Sequence, residues 1–119
     1  MEILDMKCAE LGQKLVANKA VKETLLTDVI GVLEEQGLYA AFLFLKSKKN
    51  KDGANEVYSK SFEFLRTTPT ASPLVASKDG GSDALGPIKE LSKDLDNLLL
   101  ARELVRQALV YARYHAKAR

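Results

Sequence analysis

The chain is expected to fold as an all-α, compact single-domain bundle of about five to seven helices. Three observations predict this. Apolar residues recur at helical spacing along most of the sequence. No segment alternates polar and apolar residues for long enough to make a defensible strand. The 119 residues, 46 % hydrophobic and 29 % charged, suffice for one domain with a real core. Residues 1–119 are read as a single helical domain with a flexible segment around 67–86.

The elements follow in order. Glu2 to Val16 is amphipathic, and Asn18 is a plausible stop. A second helix lies within Ala20–Gln36, with Leu25, Leu26, Val29, Ile30, Val32 and Leu33 on one side. Thr27 followed by Asp28 is a possible break, because Thr serves as an N-cap. Gly37 is expected just past the helix end, in a left-handed conformation that needs no Cβ. Leu38 to Lys48 restarts at once and is apolar all round in its first turns, which predicts a central, enclosed helix. Lys48 to Gly53 reads as a solvated turn. Asn55 is expected to cap a helix through about Arg66, with Val57, Tyr58, Phe62, Phe64 and Leu65 inward. Thr67 to Gly86 holds two of the three prolines, and Asp79 to Asp83 is expected to be its mobile part. Ser72-Pro73 could start a two-turn helix. From Pro87 onward Ile88, Leu91, Leu95 and Leu98 keep the helical period, and Ser92 or Asp94 could cap a fresh helix.

Several function classes find no support. One cysteine and one histidine cannot make a zinc site, and no metal or other cofactor is expected. Glu34-Glu35 and Asp94/Asp96 read as solvated surface acids. No Gly-rich loop follows a strand, and no nucleophile, base and orienter stand at a telling spacing. The expectation is that the chain is not an enzyme. The longest apolar run, Leu38 to Leu45, is too short to cross a bilayer. With a single cysteine, expected to be a buried small hydrophobe at Cys8, and no signal-peptide pattern, a cytoplasmic location is expected.

The last eighteen residues carry the functional signal. Arg102 to Arg119 holds five basic residues and one acid, Glu103, a balance of +4 in a chain of +2. At about 100° per residue, Arg102, Arg106, Arg113 and Lys117 fall within about 60° of each other. Ala101, Leu104, Ala108, Tyr111, Ala112 and His115 form the apolar stripe opposite, where a lone histidine is expected to pack against a core or an interface. Basic residues complement the dipole at any helix C-terminus. That accounts for Lys117 and Arg119, but poorly for Arg102 and Arg106. The phosphates of a polyanion backbone are therefore the expected contacts of Arg102, Arg106, Arg113 and Lys117, with Lys46, Lys48, Lys49 and Lys51 as a secondary patch.

The segment Glu35-Gln36-Gly37-Leu38-Tyr39-Ala40-Ala41-Phe42-Leu43-Phe44-Leu45-Lys46-Ser47-Lys48 resembles the small subunit family of the type III-B (Cmr) CRISPR–Cas RNA-guided effector complex. So do Leu25-Leu26-Thr27-Asp28-Val29-Ile30, and Arg102-Glu103-Leu104 followed by Ala108 to Tyr114. The last helix departs from many members in having no Trp, and residues 67–94 match weakly. The resemblance implies a non-catalytic antiviral-defence subunit that stacks in a filament with copies of itself and with other effector-complex subunits. It also implies contact with the backbone of guide and target RNA, with no membrane role. Two other readings fit the same residues: a helical protein–protein adaptor with no nucleic-acid role, and the small subunit of the related type III-A complex. A helix-turn-helix DNA regulator is disfavoured, because the helix after Gly37 is too apolar to read a groove.

Overall fold

A computed structural model describes residues 3–49, 51–70, 72–75 and 83–119. Among these residues there are six α-helices, one short 3-10 turn and no strand. The helices are α1 (Leu4–Ala17), α2 (Glu23–Gln36), α3 (Leu38–Ser47), α4 (Ala54–Thr67), α5 (Leu85–Leu91) and α6 (Leu95–Ala118). The all-α, single-bundle expectation is met. The radius of gyration, 13.1 Å, is close to the roughly 13.5 Å expected of a compact chain this long. No helix among the described residues is long and apolar enough to cross a membrane.

The 24-residue α6 is the spine. Parallel to it lies α1, as paired contacts show: Cys8 Sγ donates to the Leu104 carbonyl at 3.4 Å, and Gly12 abuts Ala108 and Ala112. The approach is close because small residues face each other. A Cβ on Gly12 would sit 2.8 Å from the Ala112 nitrogen and 2.7 Å from the Tyr111 Cβ. The Tyr111 hydroxyl completes the seam by donating to Asp5 at 2.9 Å, and that bond holds its pKa above the ordinary value. Running back along α6 is α2, with Glu34 near Arg102 and Glu23 near Lys117.

Burial raises the Cys8 thiol to about 12. The thiolate is the reactive form, so Cys8 should resist iodoacetamide in the native state at pH 8 and react once the chain is unfolded in urea. Mass spectrometry reads both. Rapid native labelling would mean that the α1–α6 seam opens.

Gly37 joins α2 to α3 with no spare residues. Its N–H donates to the Leu33 carbonyl at 3.0 Å and its own carbonyl accepts from Ala41 at 3.1 Å. The backbone there has φ +100 and ψ −175. This is the extended positive-φ region that is nearly exclusive to glycine, not the left-handed helical conformation expected. Thr27 breaks nothing, because it lies on the solvent side of a continuous α2.

The all-round apolar reading of α3 is half right. Leu38, Ala41, Phe42 and Leu45 are buried, and Phe42 meets Tyr58 edge-on at 5.4 Å. Tyr39 and Leu43 are exposed, Leu43 by 48 %. The neighbours of α3 lie mainly on the α2, α4 and α5 sides, which leaves one edge uncovered.

Asn55 caps nothing. Helix α4 starts one residue earlier, after Gly53 at φ +83. Its inward residues Val57, Tyr58, Phe62, Phe64 and Leu65 are all buried as expected. After α4 the chain doubles back, with Val75 donating to the Leu65 carbonyl at 3.1 Å. Residues 72–75 are not helical, and the segment expected to be mobile lies, apart from Asp83, outside the described residues. Asp83 and Tyr58 fasten the start of α5. The Tyr58 hydroxyl accepts from the Ala84 N–H at 2.9 Å, and Asp83 accepts from the Leu85 N–H at 3.1 Å. Asp94 caps α6 by accepting from the Asn97 N–H at 3.2 Å.

Candidate nucleic-acid interface

The four cations singled out on α6 do share a side of the helix, but that side is not opposite the core. Val105 and Leu109 are buried along with Ala101, Leu104, Ala108 and Ala112. At about 100° per residue these two side chains widen the core face until it borders the arginines. Arg102, Arg106 and Arg113 are consequently half-buried at the rim where α2 packs, and of the four only Lys117 is exposed. His115 is also exposed, so of the expected core or interface packing the core half is not met. It lies past Ala112, the last buried residue of α6.

Most of these cations have work inside the fold. Arg102 donates to the Glu34 carbonyl, one of the last four of α2. Such carbonyls have no partner within their own helix. Arg119 serves α1 in the same way, donating to the Val16 carbonyl at 2.9 Å and to the Val21 carbonyl beyond it. Both arginines thus close a neighbour's C-terminus, where positive charge also meets the negative end of the dipole. Arg106 grips Glu103, with Nε–Oε1 at 2.8 Å and the second guanidinium nitrogen at 2.6 Å. That hydrogen bond holds its pKa above the ordinary value. Lys117 pairs loosely with Glu23 at 3.8 Å, a separation at which exposed pairs contribute about 0–1 kcal/mol. Arg113 has no carboxylate within ion-pair distance among the described residues.

The secondary patch divides similarly. Lys46 pairs with Asp83 at 3.6 Å, and Lys48 lies over the Phe44 ring at 5.3 Å. Lys49 and Lys51 are exposed and pair with no described carboxylate. The structure therefore separates the eight candidates into engaged cations and three that are open to a ligand: Arg113, Lys49 and Lys51.

Two features escaped the sequence reading. Leu95, which keeps the helical period with Ile88 and Leu91, is 65 % exposed, and Leu99 and Leu100 are exposed as well. The first buried residue of α6 is Ala101, so its first turns project past the core. The i, i+4, i+7, i+11 spacing places Leu95, Leu99, Arg102 and Arg106 in one row. The second feature is a groove between α1 and α4 lined by Lys7, Lys14 and Lys60. The seven-residue interval puts Lys7 and Lys14 on one face of α1 and was visible in the sequence; the arrival of Lys60 from α4 was not.

No group of three or more His, Cys, Asp or Glu side chains among the described residues could hold a metal ion. Comparison of the chain with protein-family models, with curated proteins and with solved structures returns no match.

Proposed function

We propose that this chain is a non-catalytic small subunit of a CRISPR–Cas RNA-guided effector complex, stacking in a filament and contacting the backbone of guide and target RNA. The single observation that carries the reading is the row on α6. Its first turns offer leucines to the surface, and its later turns carry cations along the same side. Exposed apolar clusters bordered by charge are a mark of protein interfaces. A filament subunit needs such a surface to join a different surface on the next copy. The family resemblance of the Glu35–Lys48 segment supports the same assignment. Arg113, Lys49 and Lys51 supply sequence-independent phosphate contacts.

A second reading, the protein-only adaptor, is favoured by one observation. Arg102, Arg106 and Lys117 already have partners within the chain, so much of the +4 of the last segment is spent on folding.

Co-expression with the other effector subunits and a guide RNA tests both. Leu95→Glu/Leu99→Glu should reduce incorporation at least tenfold while changing the subunit's own stability by less than about 0.5 kcal/mol, since both side chains are at the surface. Target RNA carrying photoreactive uridines should crosslink to the incorporated wild-type subunit. Incorporation without any crosslink favours the adaptor. Full incorporation of the double variant removes the row on α6 from the interface.

A further inference from the structure

The α6 cations are largely consumed by the fold, whereas those around the α1–α4 groove are not. Lys7 and Lys14 come from α1, seven residues apart and thus about 10 Å along the helix. Lys60 comes from α4. All three are exposed, and none pairs with a described carboxylate within 4.0 Å. Two acids also line the groove, Glu10 and Glu63, but Glu63 is paired with Arg66 at 3.5 Å. What remains is three ammonium groups against one carboxylate. The floor is Leu11 and Phe64, both buried, and the groove has a volume of about 410 Å3.

We infer that this groove takes the phosphate backbone of a single RNA strand. The inference rests on the RNA-contacting reading proposed above and gives it a different location from the α6 stripe. Three features select this ligand. Lysine is a compact point charge that suits phosphate without demanding a fixed orientation. The interval between Lys7 and Lys14 matches about three nucleotides of a stacked strand at about 3.4 Å each. Phe64 is too buried to stack on a base, so the groove reads backbone charge and not sequence. An extended acidic peptide would lack main-chain partners here. Two walls are helices whose backbone groups are already bonded; in the third, Thr68 and Thr70 after α4, the Thr68 carbonyl accepts from the Leu74 N–H at 3.2 Å, and the Thr67 hydroxyl is committed to the Glu63 and Phe64 carbonyls at 3.1 and 3.3 Å. A recess between two packed helices also admits one strand more readily than a duplex.

The test uses the purified full chain and a fluorescent 20-nucleotide oligouridylate, with anisotropy measured over a series of salt concentrations. Lys7→Gln/Lys14→Gln/Lys60→Gln should weaken binding at least tenfold at low salt. It should also reduce the log–log salt slope by about 2, the value for three lost single-strand contacts at about 0.7 each. Glu10→Gln should tighten binding severalfold, a gain that a damaged fold cannot produce. Lys89→Gln/Lys93→Gln, exposed but lining no part of the groove, should leave the isolated chain's affinity within twofold. If wild type binds and the lysine triple binds equally with the same slope, the groove assignment is overturned while the RNA reading stands. No binding by wild type even at low salt overturns both. Preference for a 20-residue polyglutamate over the oligouridylate, or for duplex RNA over the single strand, overturns the choice of ligand.

Discussion

Phe42→Asp is expected to unfold the domain or to remove more than about 5 kcal/mol of stability, most of what a domain of this size has. Phe42 is 1 % exposed and packs edge-on against Tyr58. Truncating a buried Phe alone costs about 3–5 kcal/mol. The carboxylate adds a buried charge, and Lys46, four residues on, is half in solvent and already pairs with Asp83 at 3.6 Å, so the new group must either be desolvated or bind a proton at a pH where it would otherwise be ionised. Leu43→Asp, one residue along the same helix, is the control. Its side chain is half in solvent, and the change should cost less than about 1 kcal/mol. Urea denaturation followed by circular dichroism separates the two. A Phe42→Asp protein with the wild-type midpoint would place α3 outside the core. A Leu43→Asp protein as damaged as Phe42→Asp would mean that the open edge of α3 is covered in the folded chain.

That pair of neighbours also shows where local reading stops. Periodicity correctly predicted α3 as a helix and put Phe42 inside. It could not say that α3 has neighbours on its α2, α4 and α5 sides and none beyond Leu43, because that depends on where other helices dock. The same holds on α6. Spacing identified four cations on one side, but Val105 and Leu109 extend the core to their margin, so the arginines stand at a packed rim. The partner of Arg102 is a carbonyl 68 residues away, and those of Arg119 are 103 and 98 residues away. No window of sequence contains them. Asp94 was legible as a cap because an N-cap is a local device, completed three residues on by the Asn97 N–H. The lysine groove was half legible: one helix's contribution was in the spacing and the other's was in the tertiary fold. Local devices are not always legible either, since Asn55 caps nothing and Gly37 is extended at positive φ and not left-handed helical.

Gly53→Ala should be the most damaging of four glycine substitutions, because it alone combines two separate penalties. Gly53 has φ +83, and an added Cβ would lie 2.5 Å from the Val21 Cα and 2.7 Å from the Val21 nitrogen. The left-handed conformation costs an alanine about 1–2 kcal/mol. Pushing backbone off backbone adds about 1–3 kcal/mol more. The turn that brings Val21 there is also held by Lys22 donating to the Asp52 carbonyl at 3.1 Å, a bond lost if the segments part. The two penalties together come to about 2–5 kcal/mol. Gly37→Ala isolates the backbone term, since φ is +100 with nothing within 4 Å of the new Cβ; about 1–3 kcal/mol is expected. Gly12→Ala isolates the steric term. Its gain of about 1 kcal/mol in helix propensity is outweighed by contacts at 2.7–3.0 Å with α6, which cannot yield without separating α1 from its main partner. Gly31→Ala carries neither penalty, being exposed within α2 with open space around it, and should stabilise by about 0.5–1 kcal/mol. The four midpoints in urea therefore have a fixed order, with Gly31→Ala above wild type, Gly37→Ala and Gly12→Ala below it, and Gly53→Ala lowest. If Gly53→Ala were no worse than Gly37→Ala, the close approach of the Lys51–Gly53 turn to Val21 would be wrong, and with it the seating of α4 against the α1–α2 connection.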